Sequence, residues 1–140
     1  RVHRFGVDGQ LKRSWGEPGK SAPNAFHLPH SLIVKGDRVF VCDRENHRMQ
    51  VFNTDGNHLA IWDDIQRPMD ISMDADGNFM ISEGSKDGSS ARISVVDDQG
   101  NVLSRFDCRG PGHGSWIDSH GDIYLGLAEP GGVDKYIRES

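Results

Sequence analysis

Three stretches of this chain repeat one another. Pro29-His30-Ser31-Leu32-Ile33-Val34 is followed by Asp37 and by Val39-Phe40-Val41. Its counterpart Pro68-Met69-Asp70-Ile71-Ser72-Met73 is followed by Asp76-Gly77 and Phe79-Met80-Ile81. A third copy, Gly112-His113-Gly114-Ser115-Trp116-Ile117, is followed by His120-Gly121 and Ile123-Tyr124-Leu125. The copies start at positions 29, 68 and 112, so they are offset by 39 and 44 residues. A period of this size restricts the fold more than any composition does, because each unit must bury its apolar face against the next.

Each repeat has a second half. Arg48-Met49-Gln50-Val51-Phe52 leads through Asp55-Gly56 to Leu59-Ala60-Ile61-Trp62. Arg92-Ile93-Ser94-Val95-Val96 leads through Gln99-Gly100 to Val102-Leu103-Ser104-Arg105-Phe106, and Arg1-Val2-His3-Arg4-Phe5 leads through Asp8-Gly9 to Leu11-Lys12-Arg13-Ser14-Trp15. Two alternating runs around a turn dipeptide predict a hairpin, with the Gly free to take positive φ. One unit therefore holds four short strands, expected at 31–34, 38–42, 48–52 and 58–62. Gly is correspondingly abundant, at 17 of 140 residues. No segment carries a capped 3.6-residue apolar period, so helix is expected to be nearly absent.

Four-stranded units of this size are β-propeller blades, which makes the fold class all-β with antiparallel blades. A sandwich of short strands would not require the same strand order in every unit. The division is a partial blade at 1–16, whole blades at 30–62 and 69–107, and a partial blade at 113–138 whose third strand is expected at 133–137. At a period of about 43 the chain holds roughly 3.3 blades, whereas closed propellers usually have about 4 to 8. Three open blades would expose apolar faces and sheet edges. The chain reads as half of a six-bladed ring, closed by a second copy in a homodimer of about 31 kDa or by the remainder of a longer chain. The strand at 10–15 is the available donor for the fourth strand of the last blade. The opening Arg1-Val2-His3-Arg4, without an initiator Met, reads as a fragment or a processed chain.

Between the second and third strands of the first whole unit the sequence is Asp43-Arg44-Glu45-Asn46-His47-Arg48-Met49-Gln50-Val51-Phe52. An Asp ending a strand, a turn through Asn46 and a basic residue before a Gln-Val-Phe strand resemble the NHL repeat, a propeller family. A narrower resemblance rests on Trp15-Gly16-Glu17, Pro18-Gly19, Leu28-Pro29-His30-Ser31-Leu32, Asp43-Arg44-Glu45-Asn46 and Arg48-Met49-Gln50. These are similar to the catalytic core of peptidyl-α-hydroxyglycine α-amidating lyases. That family is a six-bladed propeller that cleaves a hydroxyglycine-extended peptide to a peptide amide and glyoxylate, with three His from inner-strand starts converging on zinc. The resemblance implies His30 and His113 as two of the zinc ligands. Three neutral imidazoles leave a tetrahedral zinc one open position, where a water or substrate oxygen becomes more acidic.

The unit between them carries Met69 at the matching place, so a third ligand would come from another blade or subunit. Gly114 stands where the family has an Asp that helps hold a structural calcium, and Pro111 stands for a Met; the family's catalytic Tyr and Arg would fall ahead of Arg1. The resemblance thus implies zinc rather than calcium. Two functional readings follow: a binding or interaction module for a peptide or protein ligand, or a zinc-dependent lyase-like enzyme whose site this chain alone does not complete.

Charge narrows the partners. With 16 Lys+Arg against 21 Asp+Glu the net charge is −5, which argues against a nucleic-acid binder, since phosphate neutralisation needs a basic face. No run of about 18 apolar residues is present to cross a membrane. Cys42 and Cys108 match no close metal spacing and read as reduced, partly buried hydrophobes. His3, His27, His47, His58 and His120 read as surface residues. Asp74-Ala75-Asp76-Gly77-Asn78 reads as a hairpin turn rather than a calcium loop. Gly84-Ser85-Lys86-Asp87-Gly88-Ser89-Ser90 is a loop without the strand-to-helix context of a phosphate-binding loop. Trp15, Trp62 and Phe106 recur at fourth-strand ends and are expected to pack between blades. Arg44, Glu45 and Arg109 are candidates for an exposed binding face.

Overall fold

The computed structural model describes residues 1–139, and these are built almost wholly from sheet. Strands β1 (Val2–Phe5) and β2 (Leu11–Trp15) form a hairpin. Two residues each, β3 (Glu17–Pro18) and β4 (Ala25–Phe26), pair in parallel within the link that follows. The first whole blade is β5 (Pro29–Lys35), β6 (Arg38–Asp43), β7 (Arg48–Asn53) and β8 (His58–Trp62), in that spatial order. The second is β9 (Pro68–Met73), β10 (Phe79–Glu83), β11 (Arg92–Val96) and β12 (Val102–Asp107). A three-stranded sheet closes the chain, with β13 (Gly112–Ile117), β14 (Ile123–Leu127) and β15 (Gly132–Tyr136). Among the described residues the one helical element is a 3-10 turn at Arg44–Asn46.

Alternation along each strand gives every blade two apolar faces, and the blades stack face to face. Phe40, Cys42, Met49 and Val51 of the first whole blade meet Ile71, Phe79, Ile81 and Val96 of the second in one buried cluster. The opposite face of the first whole blade, Val39, Val41 and Phe52, packs on Val2, Trp15 and Phe26. Met80 and Ile93, on the far face of the second, pack on Ile123, Leu125 and Leu127. The inner strands β5, β9 and β13 lie side by side as a result.

The fourth-strand aromatics pack between blades as expected. Trp15 lies 6.0 Å from Phe52, Trp62 lies 6.3 Å from Phe79, and Phe106 lies 5.4 Å from Tyr136, measured between ring centres. Each Trp also covers a hairpin glycine of the following blade. A Cβ on Gly56 would meet Trp15 at 2.8 Å and one on Gly100 would meet Trp62 at 2.7 Å, and both glycines have positive φ. The turn dipeptides of the sequence are therefore also the seats of the aromatic wedges.

Candidate functional site

All three inner strands begin with the same irregularity. In β5, Pro29 pairs with Asp43 and Leu32 with Val41, leaving His30 and Ser31 opposite Cys42. In β9, Pro68 pairs with Glu83 and Asp70 with Ser82, leaving Met69 outside the ladder. In β13, Gly112 pairs with Leu127 and Gly114 with Gly126, leaving His113 outside. A bulge re-aims the side chain it frees. His30, Met69 and His113 are thus equivalent not only in sequence but in backbone construction, a feature no residue pattern announced.

The bulges bring His30 and His113 together, 83 positions apart in the chain. Their ring centres are 5.3 Å apart, edge to face, and both residues are exposed. His30 Nδ1 lies 2.5 Å from the Met69 carbonyl oxygen. A carbonyl can only accept, so Nδ1 carries a proton, and in the neutral ring the lone pair is then on Nε2. Met69 itself is buried and offers no third donor beside the two imidazoles. Among the described residues no group of three or more His, Cys, Asp or Glu is placed to hold a metal ion.

Below this rim, Asp70 is bonded to both flanking strands. Ser31 Oγ donates to its Oδ1 at 2.6 Å, while the Ser115 N–H and Oγ donate to its Oδ2 at 2.8 and 3.0 Å. Ser31 and Asp70 stand at the third position of their repeats and Ser115 at the fourth, and only the packing of the strands shows that they meet.

The residues behind the family resemblance build a buried latch instead of a binding surface. Asp43 accepts from the His27 N–H at 2.8 Å, Asn46 Nδ2 at 2.8 Å, Arg48 Nε at 2.8 Å and Gln50 Nε2 at 2.9 Å. Arg48 spends its other donors on the carbonyls of Ser21, Ala22 and Ala25, tying the preceding link to the blade. Glu83 repeats the arrangement with the Gln66 N–H, Arg92 and Ser94. The longer acid is matched by a shorter partner, since Glu83 with Ser94 replaces Asp43 with Gln50.

Several surface assignments need correction. Arg44 and Glu45 are half-buried and bonded to each other at 2.9 Å, with Arg67 also on Glu45 at 2.9 Å, so their charges are spent within the fold. Arg109 is exposed but pairs with Asp134 at 2.7 Å. His27, His47 and His58 are partly buried. His47 Nδ1 accepts from the Arg67 N–H at 3.2 Å, and burial, followed by the charge of Lys86, holds its pKa below the ordinary value. His58 stands on edge against Phe52 at 5.2 Å and is likewise lowered, by burial first and Arg48 second. Cys42 is fully buried and Cys108 half-buried; both are free thiols, and burial raises both.

Comparison with known proteins agrees with this construction. The NHL repeat model matches residues 26–52, the span that contains β5, β6 and most of β7. NHL repeat-containing protein 3 of Homo sapiens is 37% identical over 86 residues, 58% of this chain and 24% of that protein. The mouse protein of the same name is 38% identical over 71 residues, 47% of this chain and 20% of its own length. Peptidylglycine alpha-amidating monooxygenase of Rattus norvegicus is 38% identical over 60 residues, 39% of this chain and 6% of that protein. The chain therefore spans a quarter or less of the curated relatives it matches. A protein of unknown function from Bacteroides caccae superposes with a TM-score of 0.64 over 96% of this chain and 48% of its own, at 16% identity, a likeness of fold alone. The NHL match is seated on the latch-bearing blade, and the same antiparallel blade plan repeats along the sheets, so the fold of this chain is a run of β-propeller blades with an NHL repeat at 26–52.

Proposed function

We propose that the chain is an NHL-type binding module, completed into a ring by further blades, whose channel rim at His30 and His113 takes a peptide or protein ligand. The observation that carries this is the convergence of two exposed imidazoles on the bulged starts of the inner strands that flank β9. The need for further blades rests on the flanks. Leu32 and Val34 are 45% and 51% exposed, whereas Ile71, at the place in β9 that matches Leu32, is 6% exposed under its neighbour. They line a groove of about 250 Å³ with Val2, Trp15 and Val39, where first and second strands of the β1–β2 blade belong. At the other end Trp116 and Val133 are 69% and 68% exposed. A homodimer would set β13, β14 and β15 of one copy against β1 and β2 of the other. That is five strands per junction, so a second copy closes the ring only if β15 gives way to the partner's β1. Flanking sequence of a longer polypeptide needs no displacement. Light scattering at micromolar concentration separates the two: about 31 kDa supports the homodimer, and a monodisperse monomer excludes it. For the ligand, binding to a peptide array should be lost in a His30→Ala/His113→Ala double variant, and unchanged binding refutes the site.

The second reading is a zinc-dependent amidating-lyase-like enzyme, favoured by the tautomer of His30. A neutral imidazole whose Nδ1–H is held by a backbone carbonyl presents Nε2 as a ligand. Two imidazoles sharing one tetrahedral zinc at about 2.0–2.1 Å have ring centres roughly 5 Å apart, and the observed 5.3 Å fits. His30 and His113 would hold the ion, with the remaining donor from a blade outside this chain. The zinc would supply Lewis acidity at its open position. Elemental analysis of protein purified without a nickel column tests the metal, with clearly substoichiometric zinc excluding it. Absence of glyoxylate release from a hydroxyglycine peptide, by metal-loaded chain and full-length parent alike, excludes the lyase.

A further inference from the structure

The geometry points to Asp70 as the positioning residue of the imidazole pair, a role that rests on reading His30 and His113 as the ligand-facing groups. Asp70 sits in the middle of the three inner strands, directly after Met69. Its carboxylate holds Ser31, the residue after His30, and Ser115, two residues beyond His113. The β5 tether grips the strand inside the bulge that frees His30, and the β13 tether grips it at the second ladder residue after His113. A bulge leaves its extra residue without ladder bonds, so the sheet itself does not fix the spacing of the two rings. Bonds to an ionised acceptor are stronger than neutral ones, and this acceptor receives three. The peptide just before it adds the Met69 carbonyl that sets the His30 tautomer.

Ser82 Oγ donates to the Gly112 carbonyl at 3.0 Å and braces the second blade to the third. Among the described residues no side chain other than Asp70 bonds to both β5 and β13. The middle blade, which supplies no imidazole, thus sets where the other two stand.

Asp70→Ala removes all three bonds. Asp70→Asn keeps an acceptor for the Ser115 N–H and gains a donor for Ser31 Oγ, so it should restore the spacing. The readout is the nuclear Overhauser contact between the His30 and His113 rings in ligand-free full chain, with the His30 tautomer taken from its imidazole nitrogen shifts. The contact is expected to vanish in Asp70→Ala, at unchanged far-UV circular dichroism, and to return in Asp70→Asn. Should Asp70→Ala fail to fold, Ser31→Ala severs the β5 tether alone and is expected to lose the contact as well. An undiminished ring contact in Asp70→Ala, or in Ser31→Ala if that is the variant that folds, overturns the role. Because the contact is read without ligand, it tests Asp70 even in a protein that binds neither zinc nor peptide, and failure of the clamp leaves the binding readings standing.

Discussion

The links into the two whole blades and the link into the last sheet are built on different chemistry. Ahead of β5, the His27 N–H donates to Asp43 and the next residue, Leu28, is held at φ +54°. Ahead of β9, the Gln66 N–H donates to Glu83 and Arg67 is held at φ +36°. Ahead of β13, the carboxylate position is taken by Leu127, opposite Gly112, and the link residue is Pro111, whose ring fixes a negative φ. Left-handed backbone costs a residue with a side chain about 1–2 kcal/mol and persists where its surroundings over-determine it. Latch and left-handed link are present together in two blades and absent together in the third. The latch therefore goes with the left-handed link and not with the bulge, which β13 forms without either.

The largest effect on this contrast is expected from removing the acid. Asp43→Ala leaves Arg48 buried without its carboxylate and orphans donors from Asn46, Gln50 and the His27 peptide. Loss of one partner of a buried pair typically costs about 3–5 kcal/mol. Urea unfolding should report a loss of that size, whereas a loss under about 1 kcal/mol would show that the latch is not what holds the link. Packing at the blade junctions should come next. Gly100→Ala meets Trp62 at 2.7 Å and a φ of +90°, so about 1–3 kcal/mol is expected. Gly114, in the last sheet, has open space around it and no positive φ; Gly114→Ala should stay within about 0.5 kcal/mol of the parent. Equal effects at the two glycines would remove the packing explanation.

How far the sequence reached depends on which interactions are periodic. Alternation and turn dipeptides are local, so the hairpin from Arg48 to Trp62 and the blade order could be read directly, and the recurrence of Trp15, Trp62 and Phe106 marked the blade junctions. The pairing of His30 with His113 was also legible, because equivalent inner-strand starts of separate propeller blades converge near the axis. The bulges were not, since an unpaired residue within a strand changes neither composition nor period. Asp70 was hidden for a related reason: its partners Ser31 and Ser115 are small polar residues of a kind found throughout inner strands. Arg44 and Glu45 looked like a surface because they are charged, and nothing in the spacing of Asp43, Arg48 and Gln50 told that their polar groups are paired and buried. That paired burial is also what took Arg44 and Glu45 off the candidate binding face.

Acid should separate the blades by a smaller margin. His47 and His58 both belong to the first whole blade, and both are held below the ordinary value of 6.5, chiefly by burial. In the last sheet His113 and His120 are exposed. A histidine whose folded pKa is lowered binds protons more readily when unfolded, so its stabilising effect is complete above pH 6.5 and is lost as the pH falls towards the lowered folded value. Protonating His47 also takes away the lone pair that accepts the Arg67 N–H, in surroundings where Lys86 and Arg67 oppose a positive charge and Glu45 and Asp87 favour it. His58 would gain its charge beside Arg48 with Nε2 buried and unpartnered. The melting temperature should therefore fall between about pH 6.5 and pH 5, and amide exchange should quicken in β7 and β8 before β13 and β14. A His47→Gln/His58→Phe variant should flatten the slope. If the slope is unchanged in that variant, the acid sensitivity lies outside the first whole blade, and the contrast between the blades holds for their links alone.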